Sequence, residues 1–466
     1  MRLFNDGRPL PLISRTALDY REDNSHYFER IRSLGNAVWL DSGRPLSRYG
    51  RYDILAAAPE FIVRYDRGTL SLERDGSRTL LEESPFDALK RLLAEYPAQP
   101  PRPDLPFSGG LIGHFGYDLG RALEQLPARA ADDIDFPEMR VGFYAWAIIV
   151  DHQQRRAELV ALPGTSAQLL AQLDERLTTA SPEPAQPFRL QAPFANDLSR
   201  EQYNDALARI DDYIHAGDCY QVNFTQRFSS RFDGDPWQAY RRLRAAAPTP
   251  YSAYLENDDG TVLSLSPEQF LGCNDGQVTT KPIKGTRPRS ADPAQDKRLK
   301  QELKKSLKDR AENLMIVDLL RNDLGKVCSF GSVRVPRLFA VESYANVHHL
   351  VTTVTGTLAG DRQPLDLLAH CFPGGSITGA PKIRAMEIID ELEPQRRNIY
   401  CGSIGYISLC GRMDTSITIR TLLCEQDRIF CWAGGGIVAD SVTEQEYEET
   451  YSKVNNLLKT LEATCP

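Results

Sequence analysis

Lys284, in the segment KPIKGTRPR, is the residue whose side chain offers the most chemistry. It stands between Ile283 and Gly285 at the end of an expected strand, followed by Thr286, Arg287 and Arg289. An amine placed there has two uses. It can hold a substrate carboxylate by charge, or it can act as a nucleophile once burial and neighbouring cations keep it neutral. Glu268, in SPEQF, lies just ahead of the strand leading to Lys284, so the chain can return it to the same site as a general acid. His349, in HHL, is a further candidate, although a lone histidine is more often structural.

Carboxylates supply a second theme. The stretch DRAENLMIVDLLRNDLGKV reads as a helix that is apolar nearly all round between positions 314 and 320, so burial is expected, with Glu312 at its entrance. A carboxylate beside a buried helix is costly to desolvate without a cation. One partner is Lys308, a helical turn earlier; another is a metal ion. A helix expected over about 442–461 puts Glu446, Glu449 and Lys453 on one strip, beside an apolar strip of Tyr447, Tyr451, Val454, Leu458 and Leu461. With Glu312 these acids suggest a hard-cation site, because Mg²⁺ commonly takes only one or two carboxylates and fills its octahedron with water and substrate oxygens. Glu312 and Glu449 would suffice.

Glycines supply a third. In FPGGSITGAPKIRAMEIIDELE, Gly374 and Gly379 have the spacing of a phosphate loop, but Ala380 and Pro381 follow where Lys and Ser or Thr belong, which weighs against ATP. The general property that survives is an anion cradle, in which exposed backbone N–H groups precede a helix started by Pro381. Gly434, Gly435 and Gly436, ahead of a helix capped by Ser441, suggest a second cradle. A substrate with two carboxylates fits two cradles.

The elements that must carry these residues are mixed. Ser199 and Gln202 form a capping-box pattern before Tyr203, Leu207, Ile210 and Ile214 at helical spacing, with Gly217 as the stop. CYQVNFTQRF then alternates, Tyr220, Val222 and Phe224 against Gln221, Asn223 and Thr225, as a half-buried strand does. Strands are expected at 37–40, 143–150, 262–264, 277–281, 351–357, 405–409, 414–421 and 428–432, and helices at 86–95 and 167–177. Strands and helices do not alternate one for one, so the expected fold is α+β, a two-sheet α/β sandwich with largely antiparallel sheets. Pro-rich stretches at 96–107 and 181–194 interrupt it, and the second divides an N-terminal region, 1–180, from a catalytic region, 196–466, that share one sandwich.

Composition excludes several classes. With 41% hydrophobic and 25% charged residues over 466 positions, the chain is an ordinary globular protein. Its net charge of -8 disfavours sequence-independent nucleic-acid binding. The longest apolar run, 141–150, is about half of what a membrane helix needs, and MRLFNDGRPLPLISR lacks the pattern of a secretory signal, so a cytoplasmic location is expected. Nine Cys without a C-x-x-C pair suit reduced thiols.

The motifs SPEQF, PIKGT, AENLMIVDLLRNDLG, FPGGSITGAPK, DTSITIRT and GGGIVADS, with SGRPLSRYGRYD and GHFGYDLGR nearer the N-terminus, resemble those of the chorismate-utilising enzymes. That family includes anthranilate synthase large subunits, isochorismate and salicylate synthases, and the enzymes that form aminodeoxychorismate. The resemblance implies a sandwich with the active site between its sheets, and Mg²⁺ held by Glu312 and Glu449 with Glu446 nearby. It assigns Thr286, Thr378, Tyr400, Arg420, Lys453 and Gly434 to Gly436 to substrate binding, with His349 beside the substrate and Arg420 on the enolpyruvyl carboxylate. Isochorismate and salicylate synthases carry a Lys at the position of Gln221 to activate water, and anthranilate synthases carry Ala where this chain has Lys284. The implied activity is therefore amination of chorismate at C4, with Glu268 as acid and Lys284 adding at C2, giving 4-amino-4-deoxychorismate for 4-aminobenzoate and folate synthesis. No Cys sits in a G-x-C-x-G setting, so ammonia is expected from a separate glutamine amidotransferase subunit. Tryptophan binding is implied at Ser42, Tyr49, Gly50, Arg51, Tyr52, Pro250, Tyr251 and Ser252, although Asp41-Ser42 departs from the L-L-E-S of feedback-inhibited anthranilate synthases. The competing readings are an anthranilate synthase large subunit and a non-catalytic tryptophan-sensing or partner-binding subunit of the same fold.

Overall fold

The computed structural model describes residues 13–47, 50–178, 185–344 and 347–465; Tyr49 and residues 181–184 of the second Pro-rich stretch lie outside them. Among the described residues, two antiparallel sheets of 13 and 12 strands form the expected α/β sandwich. Ile54, Val262 and Phe430 of the larger sheet share an apolar core with Val63, Leu111 and Ile404 of the smaller one. The larger sheet is also covered on its outer face. There Trp39, Trp237, Tyr240 and Leu457 form a second cluster beneath the helices Pro236–Ala246 and Thr443–Glu462.

Covering both faces changes how strands read in sequence. In Gln221–Asp233 the first eight residues are buried whichever way they point, so the alternation from Val222 to Thr225 separates two interiors and not core from solvent. Tyr220 is not part of it; it precedes the strand and is 71% exposed. For the same reason the apolar run 143–150 is two strands, Met139–Tyr144 in the smaller sheet and Trp146–Asp151 in the larger. The expected strand 414–421 is likewise Met413–Ile417 in one sheet and Thr421–Glu425 in the other.

Helix ends were more legible. Ser199 and Gln202 make both bonds of the capping box, and Gly217 follows the helix Arg200–His215 at φ 83, which a glycine adopts without steric cost. Three local expectations fail. The helix Leu307–Gly325 is only half buried, with Leu314 48% exposed. Ser441 does not cap the C-terminal helix: Val442 is the N-cap residue, and the Ser441 hydroxyl donates instead to Glu446 at 2.8 Å. Gly434 to Gly436 form no loop before that helix but lie inside the strand Arg428–Ile437, opposite Thr225, Phe224 and Asn223. Side chains at Gly434 and Gly436 would collide with the neighbouring strand, a Cβ at Gly434 sitting 2.4 Å from the Phe224 carbonyl oxygen and one at Gly436 2.7 Å from the Gln221 amide.

Strands from distant parts of the chain are interleaved. Ala37–Asp41 lies between Tyr52–Ala56 and Tyr251–Asn257, and Gly110–Phe115 lies between Met139–Tyr144 and Ser403–Ser408. All nine cysteines are free thiols, eight of them buried. Among the described residues no helix is long and apolar enough to cross a membrane.

Candidate active site

Two places where the chain passes from one sheet to the other build the centre of a cavity of about 720 Å³. Pro267 and Glu268 connect Gly260–Ser266 in the larger sheet to Gln269–Asn274 in the smaller; residues 418–420 make the return from Met413–Ile417 to Thr421–Glu425. The crossings are bonded to each other. Ile417 N–H donates to the Glu268 carbonyl at 3.1 Å, and Leu265 N–H to the Arg420 carbonyl at 3.0 Å. Arg420 takes φ 51 to make its turn. This geometry delivers an acid and a guanidinium to the space between the sheets.

Lys284 arrives by a β-bulge. The strand Ile283–Pro288 pairs with Val347–Thr357, but the register shifts between Ile283 and Thr286, which re-aims the side chain between them. Gly285 within the bulge has φ +80, and a Cβ there would sit 2.8 Å from the Asp309 carboxyl. Lys284 Nζ then donates to the Ser376 carbonyl at 3.1 Å, while the Ser376 hydroxyl donates to Glu268 Oε1 at 3.0 Å. One serine thus ties both reactive side chains to the Gly-rich loop. Ser376 was hidden in a motif whose glycines drew attention; nothing in its spacing singled it out.

Burial tunes the pair. It pushes the Glu268 carboxyl up to about 7, against the opposing pull of the Lys284 charge and the Ser376 hydroxyl. Burial lowers Lys284 as well, although the Glu312 and Glu268 carboxylates act the other way. Burial thus works against the charge on both groups, keeping Glu268 more readily protonated and Lys284 less basic than they are in water. His349 accepts or donates one bond with Thr286 at 2.9 Å, and burial followed by the nearby Arg420 charge holds it down at about 3, so its ring is neutral. Arg420 is lowered by burial alone; among the described residues no acid pairs with it. Its charge faces an open cavity.

Across the cavity, Glu312 stands on Leu307–Gly325 and Glu446 and Glu449 on Thr443–Glu462. Burial raises Glu312 despite Lys284 and Lys308. For Glu449 burial is outweighed by Lys453, whose Nζ lies 2.7 Å from its Oε1 and also donates to the Gly434 carbonyl at 2.7 Å, so Glu449 falls below the usual carboxylate range. Among the described residues no three His, Cys, Asp or Glu side chains close into a ready metal cage. The oxygens of Glu446 and Glu449 do border a space beside Gly435, which they share with the Lys453 ammonium: a Cβ on Gly435 would come within 3.3 Å of Glu446 Oε2, 3.6 Å of Lys453 Nζ and 3.8 Å of Glu449 Oε1. A set of carboxylate oxygens around such a space fits a hard cation that keeps most of its waters.

Of the expected substrate residues, Thr286, His349, Tyr400, Arg420, Gly434, Gly436 and Lys453 line this cavity. Tyr400 is stacked on Trp432 with an interplanar angle of 8°. Thr378 and Gly435 are not among the lining residues. The Thr378 hydroxyl turns back to the Gly374 carbonyl at 3.1 Å because it closes the short turn Gly375–Ile377. Gln221 is wholly buried against Gly436, and neither atom of its amide finds a hydrogen-bond partner.

A second cavity, about 680 Å³, is lined by Gly50, Arg51, Tyr52, Pro250, Tyr251 and Ser252, six of the residues expected to receive tryptophan. Ser42 does not line it. Its hydroxyl and N–H both donate to the buried Asp53, at 2.6 and 2.8 Å, and it packs beneath Gly50. Pro267 and Ile283 line both cavities, so the two spaces share a wall beside Glu268 and Lys284.

Residues 35–459 match the family of chorismate binding enzymes. The chain belongs to that family. Among its chorismate-binding relatives, an aminodeoxychorismate synthase component 1 from Salmonella typhimurium is 49% identical over 96% of this chain and 97% of that protein. An anthranilate synthase component 1 from Thermus thermophilus is 41% identical over 89% of this chain and 90% of its own. The crystal structure of anthranilate synthase component I from Streptococcus pneumoniae superposes with a TM-score of 0.78 at 32% identity, covering 88% of this chain and 92% of the other. The chorismate-binding fold accounts for both sheets and for the cavity between them.

Proposed function

We infer that this chain is the chorismate-aminating component of an aminodeoxychorismate synthase, forming 4-amino-4-deoxychorismate from chorismate and ammonia. The observation that carries the reading is the pairing of Lys284 with Glu268 through Ser376 in one buried site, in a chain with aminodeoxychorismate synthase relatives at 49% identity. In this reading Arg420 and the backbone beside Gly434 and Gly436 receive the substrate carboxylates. Glu268 gives its proton to the departing C4 hydroxyl, which leaves as water. Lys284, neutral, adds through Nζ at C2 as the ring double bond shifts. Ammonia then adds at C4, the double bond returns, the C2–N bond breaks, and the lysine departs as a free amine after the incoming nitrogen loses its surplus proton. His349, neutral, orients substrate alongside Thr286.

Mg²⁺ belongs to the proposal, held by Glu312 and Glu449 with Glu446 beside them. When bound, the ion would offset the negative charge of a chorismate carboxylate. Ammonia is supplied by a glutamine amidotransferase partner, a role consistent with the wording "component 1" in the relatives. Tryptophan is the proposed occupant of the second cavity.

Purified chain supplied with chorismate, Mg²⁺ and ammonium should yield 4-amino-4-deoxychorismate by mass spectrometry. A fluorescent anthranilate product with release of pyruvate would instead favour the anthranilate synthase reading. Denaturing the enzyme during turnover should leave a substrate-derived mass on Lys284; labelling elsewhere would remove the covalent step.

A further inference from the structure

Lys308 is used by neither the acid nor the nucleophile, yet it stands where three carboxylates meet. It occupies the first turn of Leu307–Gly325, and its Nζ lies 3.7 Å from Glu446 Oε1 on Thr443–Glu462. Among the described residues this is the only ion pair joining those two helices. Its charge also bears on Glu312 and Glu449. The other two lysines of the site are fastened. Lys453 has Glu449 and the Gly434 carbonyl at 2.7 Å each, and Lys284 has the Ser376 carbonyl. Lys308 makes no such bond, is 44% exposed, and shares Glu446 Oε1 with the closer Ser441 hydroxyl.

A loosely held ammonium beside Glu446, whose charge reaches Glu312 and Glu449, adds to Lys284 and Lys453 in balancing the repulsion of the three carboxylates when no metal ion is present. A divalent ion entering the same carboxylate edge meets that positive charge at short range, where like charges repel most strongly. The long, flexible stem and outward exposure of Lys308 give it somewhere to go. We propose that Lys308 is an exchangeable internal counter-ion, which a divalent cation must displace from the Glu446 edge and which thereby sets the affinity of the site for metal. This rests on the metal reading above and concerns a positioning role in binding, not a step of the reaction.

The test is metal binding without substrate. Mg²⁺ titrated calorimetrically into wild type and Lys308→Gln should bind the variant about two- to fivefold more tightly, the range an exposed ion pair can supply. Mn²⁺ binding followed by electron paramagnetic resonance should move the same way. Lys308→Arg, which keeps the charge, should return the affinity to near the wild-type value, separating charge from shape. Binding by wild type with equal or weaker affinity in Lys308→Gln overturns the counter-ion role alone. Absence of binding in both proteins overturns the metal reading and this inference together. Because Lys308 is exposed and lies on the first turn, the variants should keep the wild-type circular dichroism and melting profile.

Discussion

The two cavities share a wall yet handle charge in opposite ways. In the second cavity the charged groups Arg51, Asp414 and Asp41 are met by the protein itself: Arg51 pairs with Asp151 at 2.7 Å, Asp414 accepts from Gln269 at 2.7 Å, and Asp41 is held by Tyr240 and Arg244, while the Tyr52 hydroxyl and Gln269 Oε1 find no partner among the described residues. In the first, Arg420 faces space without an acid, and Lys284 and Glu268 are buried together with only Ser376 between them. Internally balanced polarity suits a ligand whose own charges cancel, such as a zwitterionic amino acid. Charge left without a partner suits an ionic substrate; burial displaces carboxyl groups in both cavities, Glu268 up to about 7 in the first and Asp414 up to about 6 in the second. The two cavities are of similar size, so what separates them is pairing: among the described residues the Arg420 guanidinium has no acid beside it.

The sharpest way to break that contrast is Lys284→Ala, which should lower C4 amination by at least about a thousandfold and abolish the trapped adduct. Glu268→Gln follows. It should reduce kcat by about a hundredfold or more and remove an alkaline limb near pH 7, measured in pH–rate profiles. The same group has a stability signature. Its folded-state pKa is raised, so its contribution is present below the unfolded value and lost as pH rises from about 4.5 through about 7. Denaturant melts at pH 8 should therefore show Glu268→Gln gaining up to about 3 kcal/mol relative to its difference from wild type at pH 4. Ser376→Ala should cost about tenfold in kcat and move the alkaline limb upward, since the lost hydroxyl favoured the ionised carboxylate. Smallest is Tyr52→Ala in the second cavity, expected to weaken tryptophan binding by about tenfold in calorimetry; a wild type that takes up no tryptophan would empty that side of the comparison.

Much of the first cavity was legible because its chemistry sits in residue types. Glu268, Lys284, Glu312, His349, Arg420 and Glu449 could be named from motifs, and they line one space. What the sequence concealed was the backbone that aims them. The sheet crossing at residues 418–420 lies inside the run 414–421 that reads as a single strand, because the strand residues on either side of it are nearly all buried, and the strand beyond the crossing at Glu268 was not expected at all. Gly434 to Gly436 looked like a loop, since their composition is that of one; they are a strand whose neighbour leaves no room for side chains at Gly434 and Gly436. Ser376 carries a common side chain at an unremarkable spacing, and Lys308, expected to pair with Glu312 one helical turn away, has its ion pair with Glu446 on another helix.

Interleaved strands also constrain the order in which this molecule can be made. Leu40 pairs with Ala253, and Gly110 pairs with Ser408. At about 5–20 residues per second, the ribosome keeps the first of these edges waiting for roughly 10–40 s and the second for longer. During that interval Ala37–Asp41 and Gly110–Phe115 lack a partner along one side, and such edges invite pairing with other chains. Synthesis therefore passes through a stage in which the N-terminal third is exposed to self-association, and chaperone demand should be set by translation speed across the middle of the message more than by the stability of the finished sandwich.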